Sequence, residues 1–192
     1  MAPTGSLLLF RNLRLLDPRF DEARGGYEVL VEGDRIREVS DQPIKADGAT
    51  AVDCGGRVLM PGLIDSHVHC MHSEVYMRRM EDVPLTLATA RCAVRLRDML
   101  DRGFTTVRDT GGTDWGIKTA IDEGLLVGPR LFIAGRSIGP TGGHSDGRGR
   151  TNTGYPCYCC NAFANLREMV DGEDDLRRVV REQMRQGADH VK

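Results

Sequence analysis

The chain of 192 residues contains no run of five or more charges of one sign, and its formal net charge is only −2. Neither nucleic acid nor an anionic membrane surface would be drawn to it electrostatically, so no nucleic-acid partner and no membrane partner is expected. Long hydrophobic runs are missing as well. The opening MAPTGSLLLFRNLRLLD holds a single four-residue apolar run. That is too short for a signal-peptide core and far too short to span a bilayer, which predicts a cytoplasmic location. Six cysteines are present (Cys54, Cys70, Cys92, Cys157, Cys159 and Cys160), three of them crowded into PCYCC. The second Cys or His pair that a closed tetrahedral zinc site needs is not beside them, and the cluster is expected to be a loop of reduced thiols. No P-loop and no G-x-G-x-x-G followed by a suitable acidic residue appears, and there is no repeat of solenoid period.

What is present suffices for a globular core: 40% of the residues are hydrophobic and 28% charged. Two regions differ in rhythm. Residues 1–58 carry short apolar or alternating runs, SLLLFRNLRLLD, YEVLVEGDRIREVS and TAVDCGGRVLM, broken by Gly and Asp at turns. Three or four such strands make part of a sheet or sandwich that must pack against something else. Residues 59–192 instead alternate strand and helix. RVLMPGLIDSHVH reads as a buried strand, PLTLATARCAVRLRDMLDRG as a helix closed by Gly103, FTTVRDTGG as a strand, DWGIKTAIDEG as a short helix and PRLFIAGRSI as a strand. EDDLRRVVREQMRQG follows as a helix with Leu176, Val180, Met184 and Gly187 on one face, and ADHVK as a fourth strand. Four strands alternating with three helices predict parallel βαβ units. The Gly-rich stretch 139–172 interrupts them, and a loop of that length in a compact domain is expected to be functional.

Three of the five histidines fall within HVHCMH. Residues two apart on a strand share a face, so His67 and His69 project together at the C-terminal end of the first βα strand, where α/β sheets place their ligands. That geometry suits two imidazoles on one metal, or two histidines hydrogen-bonded near a surface. His72 lies past the strand and is assigned to a loop. Asp65 reads as a structural polar residue near the strand end, and Arg108 with Asp109 as an ion pair.

VLMPGLIDSHVH resembles the first-strand signature of the amidohydrolase superfamily. GFTTVRDTGG, GPRLFIAGRSIGPTGGHSD and VREQMRQGADHVK resemble the next three strand regions of its subgroup of metal-dependent Xaa-Pro dipeptidases and related carboxypeptidases. The resemblance implies an α/β fold: the N-terminal part of a (β/α)8 TIM barrel, about four strands, preceded by part of a small β-sandwich. It implies His67 and His69 as metal ligands and two divalent ions, zinc in the first place, with Mn, Fe or Co as alternatives. Lys192 matches the lysine that ends the fourth strand of that subgroup, carboxylated by CO2 and bridging the two metals. A lysine whose amine is kept neutral by burial and nearby cations can take up CO2 as a carbamate, and water shared by two cations about 3.5–4 Å apart ionises near neutral pH. His144 in TGGHSD is implied to contact the substrate, its rival being an incidental histidine in a mobile glycine loop.

The expected activity is hydrolysis of a carbon–nitrogen bond in a small molecule, a dipeptide or an N-acyl amino acid, by a metal-bridging hydroxide. A same-fold deaminase or cyclic-amide hydrolase of imidazolonepropionase type, or a non-catalytic amidohydrolase-like binding module, are the alternatives. A homo-oligomer is compatible with all of these. A (β/α)8 barrel takes about 250 residues, so the chain is expected to be the N-terminal portion of a longer protein. By resemblance, the remainder would hold two more histidine ligands and the aspartate that serves as general base.

Overall fold

The computed structural model describes residues 5–154 and 166–192, which form two compact units, Met1–Pro61 and Gly62–Lys192. Cys157, Cys159 and Cys160 lie outside the described residues. No described helix is long and apolar enough to cross a membrane.

The first unit is a five-stranded sheet: β1 (Leu7–Leu15), β2 (Arg24–Glu32), β3 (Arg35–Ser40), β4 (Thr50–Asp53) and β5 (Val58–Leu59). The order is β3-β2-β1-β4, with β5 also on β1; β1–β2–β3 is an antiparallel meander, and β4 and β5 run parallel to β1. Gly33 and Asp34 form a two-residue hairpin turn, and Gly33 adopts φ +60°, which glycine reaches without a Cβ penalty. The register of β1 slips between Phe10 and Leu13, around Asn12 at φ +53°. One extra residue reverses which side chains face which way. Leu9 accordingly packs with Leu30 and Ile44, whereas Leu13 and Leu15 pack with Val29 in a separate cluster.

The second unit contains β6 (Leu63–Val68), α1 (Leu85–Asp101), β7 (Phe104–Asp109), α2 (Trp115–Asp122), β8 (Arg130–Ile133), β9 (Ser137–Gly139), β10 (Arg167–Met169) and α3 (Glu173–Arg185). β6, β7 and β8 form a parallel sheet in that order, with α1 and α2 as the connections, as the βαβ rhythm predicts. Helix α1 buries Ala88, Cys92 and Leu96, spaced by four, into a core with Val68, Val107, Leu131 and Ile133. It ends at Gly103, φ +93°, whose N–H bonds back to Leu100. Asp114 caps α2 by accepting the Ile117 N–H at 3.2 Å.

Four expectations are corrected. The run expected as a buried strand is divided: Val58 and Leu59 join the first sheet as β5, and β6 is an edge strand with Ile64 71% exposed, because among the described residues only β7 pairs with it. ADHVK carries no strand assignment. Asp189 N–H does bond to Ile133 O at 2.8 Å, but the Ile133 N–H is taken by the Asp189 carboxylate, also at 2.8 Å, which interrupts the ladder. Helix α3 turns Val179 and Gln183 inward, leaving Leu176 43% and Met184 52% exposed. The inward polar position has a local cause: Gln183 Oε1 accepts the Arg136 N–H at 3.1 Å and stands where a Cβ on Gly135 would be, only 2.1 Å away. Finally, the stretch 139–172 is not all loop, since β10 pairs in parallel with β9.

Candidate metal centre

His67 and His69 leave the C-terminal end of β6 on one face, with ring centroids 5.5 Å apart and planes at 67°. His67 is exposed, and its N–H donates to Asp65 Oδ1 at 3.0 Å. His69 is half-buried, and its Nδ1 lies 2.9 Å from the carbonyl oxygen of Gly111. A carbonyl can only accept, so Nδ1 carries the proton and the lone pair of the neutral ring sits on Nε2. Thr110 Oγ1 is 3.4 Å from that nitrogen. Metal-binding histidines recurrently show this arrangement, in which an outer carbonyl fixes the tautomer and the ring plane.

His72 was assigned to the loop, yet it belongs to the same group. A turn that bonds its N–H to His69 O at 3.2 Å stacks its ring on that of His69, at 4.3 Å and 6°. Burial first, then the neighbouring His69, lowers its pKa to about 3, so the ring is neutral at ordinary pH. Its Nε2 is buried and has no partner among the described residues. The missed signal was the three-residue offset, which a tight turn converts into stacking.

Arg108 and Asp109 do not pair. Neighbouring residues on a strand point to opposite faces: Arg108 Nε donates to Ser66 O at 2.8 Å, and Asp109 is fully buried on the other side. Its Oδ2 accepts from Cys70 N at 2.6 Å and Thr113 Oγ1 at 2.7 Å, and its Oδ1 from Gly111 N at 2.9 Å and Thr113 N at 3.4 Å. Gly111 at φ +134° and Gly112 at φ +109° need glycine's freedom, and a Cβ on Gly112 would lie 3.1 Å from His72 Nε2.

The other two expected site residues stand apart. Lys192 is exposed, and its carbonyl accepts the Ile138 N–H at 2.8 Å. No hydrogen bond joins its side chain to the imidazoles among the described residues. His190 is half-buried with an unpartnered buried Nε2; burial, then the nearby Arg108, lowers its pKa. His144 is exposed on the loop after β9, where its carbonyl accepts from Arg167 Nη1 at 2.8 Å. A cavity of about 630 Å³ is lined by Met71, Gly112, Trp115 and Gln183, and none of the histidines lines it. Residues 135–139, GRSIG, match the G-x-S-x-G pattern of serine hydrolases. Ser137 is nevertheless buried at the start of a strand, with Oγ near Leu166 O at 3.4 Å and Ser145 Oγ at 3.5 Å, unlike an exposed nucleophile at a strand-to-helix turn.

A parallel α/β sheet carrying paired imidazoles at a strand end defines a class, and the chain belongs to the amidohydrolase family, whose sequence profile matches residues 58–192. Over 97% of its length it superposes on a crystallised amidohydrolase at 46% identity and TM-score 0.90. It does so equally on a prolidase crystallised with N-methylphosphonate-L-proline, at 37% identity and TM-score 0.91. Ochratoxinase of Aspergillus niger is 33% identical over 151 residues, 70% of this chain. The chain spans 46% of each of those two structures and 30% of ochratoxinase.

Members of the family generally bind divalent metals. The His69 clasp and the two adjacent imidazoles fit such an ion, since they offer nitrogen lone pairs with one tautomer already set. They are an incomplete set. Among the described residues, no group of three or more His, Cys, Asp or Glu side chains is close enough to hold a metal.

Proposed function

We propose that the whole protein is a metal-dependent hydrolase of amide bonds in dipeptides or N-acyl amino acids. In this reading residues 62–192 are the first part, about four strands' worth, of a (β/α)8 barrel and residues 1–61 part of an accessory β-sandwich. The observation that carries it is the His69 Nδ1–H bond to Gly111 O at 2.9 Å, beside His67 on the same face. The likeness to a prolidase that binds a proline phosphonate supports the substrate class.

His67 and His69 present ring nitrogens to the ions. Lys192 contributes as its carbamate, formed when the neutral amine adds to the carbon of CO2 and releases one proton. When bound, two divalent ions supply a water ionised near neutral pH and a Lewis acid for the scissile carbonyl. His144, following the Gly142–Gly143 turn, contacts the carboxylate of the substrate and orients it. His72 shields one face of His69 from solvent, and Asp65 holds the backbone of His67.

The test is reconstitution of the full-length protein with Zn(II) or Mn(II) and bicarbonate, assayed against Xaa-Pro dipeptides and N-acyl amino acids. Turnover of at least one member is expected, together with bicarbonate-dependent metal uptake that Lys192→Arg abolishes. Absence of turnover across the panel by the metal-loaded protein would overturn the proposal, in favour of a binding module or another carbon–nitrogen substrate.

A further inference from the structure

We infer that Asp109 is a positioning residue that sets the tautomer and ring plane of His69 by tying the turn after β6, at Cys70, to the turn after β7, at Gly111, so that the Gly111 carbonyl meets the His69 Nδ1–H. The inference rests on the proposed role of His69 as a metal ligand. Asp109 joins two turns distant in sequence. Its Oδ2 takes the N–H of Cys70, the residue after His69, and its Oδ1 takes the N–H of Gly111, whose carbonyl clasps His69. One carboxylate therefore pins the chain immediately beyond the imidazole and the peptide that holds the imidazole. Thr113, fully buried, adds its hydroxyl and N–H to the same carboxylate. Asp109 forms no salt bridge among the described residues; its carboxylate accepts four hydrogen bonds from Cys70, Gly111 and Thr113, and the Cys70 thiol hydrogen-bonds it as well.

Chemistry makes the carboxylate irreplaceable here by its amide. Donors face both oxygens, so an Asn side chain of the same shape must aim its NH2 at donors. Aimed at the Oδ1 side, it meets two backbone N–H groups. Aimed at the Oδ2 side, it meets the Cys70 N–H, while the Thr113 hydroxyl can rotate to accept. The second orientation is the less costly: it keeps Gly111 and loses Cys70, so the chain just beyond His69 is no longer tied to the turn whose carbonyl clasps it. Thr113→Val, by contrast, removes one donor and leaves both turns tied.

The experiment reads the ring nitrogens of His69 by long-range 1H–15N spectroscopy in the full-length, metal-free protein above pH 8. Wild type and Thr113→Val are expected to show protonated Nδ1 and bare Nε2. Asp109→Asn is expected to populate the Nε2–H tautomer and to weaken zinc binding about 10–100-fold. A folded Asp109→Asn that keeps Nδ1–H as the wild type does would overturn the inference. Should Asp109→Asn not fold, the wild type provides a second measurement, because coupling between two sites is reciprocal. Zinc is expected to slow amide exchange at Cys70 and Gly111, and unchanged exchange in zinc-loaded protein would equally overturn the inference. Failure of the wild type to bind zinc would refute the metal-ligand reading while leaving the tautomer measurement to decide the role of Asp109.

Discussion

The histidine corner at the ends of β6 and β7 and the lysine end beyond α3 are made differently. At the corner, side chains are held by side chains and turns: Gly111 O on His69, the His72 ring against it, and Asp109 binding both turns from beneath. At the lysine end the holding is done by backbone bonds, Ile138 N–H to Lys192 O and Asp189 N–H to Ile133 O, and by the Asp189 carboxylate, while among the described residues no hydrogen bond ties the side chain of Lys192 or of His144. The difference teaches that preorganisation of this site is unequal. One donor, His69, is set by the described residues, and the other groups need further partners to orient them.

The sharpest way to break the contrast is to remove a clasped imidazole. His69→Asn in the full-length protein is expected to lose more than about 100-fold in metal affinity, beyond the effect typical of outer-shell changes, as read by metal content and competition titration. Next in size is a packing comparison. Leu96→Ala opens a cavity under the corner, where the side chain is fully buried, and is expected to cost about 2–5 kcal/mol in denaturant titration. Leu176→Ala on exposed α3 is expected to cost less than about 0.5 kcal/mol. Equal losses would show that α3 is covered in the whole protein.

A smaller effect is expected at the loosely held group. His144→Ala should raise KM by about tenfold with kcat retained, as removal of a contact made equally in ground and transition states does. A fall in kcat alone would place His144 at the reacting bond instead.

The smallest effect concerns pH. Burial pushes the Asp189 carboxyl up, but Lys118 Nζ at 2.7 Å and the Ile133 N–H outweigh it and hold its pKa below the ordinary 3.8. The folded state therefore binds fewer protons there than the unfolded state does. The stabilisation is complete above the unfolded value and is lost as pH falls through the lower folded one, at no more than about 1.4 kcal/mol per pH unit. Asp189→Asn should flatten that part of an acid-denaturation profile while leaving the His69 ring signals in place.

Much of this was legible in the residues. Period-four burial of Ala88, Cys92 and Leu96, the Gly103 stop and the alternation of strand and helix all act within a few residues, where sequence spacing is spatial position. The strand parity of His67 and His69 is of the same kind. Less local features escaped. Leu176 and Met184 have helical spacing, but the inward face of α3 was decided by a glycine and an N–H at residues 135 and 136. ADHVK has the composition of a strand, and a side chain from within it intercepts the ladder bond. His72, three residues from His69, depends on a turn whose path alternation does not describe.

By itself, then, the sequence determined the succession of elements and the shared face of the two imidazoles, because both follow from backbone periodicity. Only the tertiary structure decided which nitrogen of His69 is left with its lone pair. That choice belongs to a carbonyl 42 residues away, brought alongside by the parallel pairing of β6 with β7 and by a buried carboxylate at the end of β7.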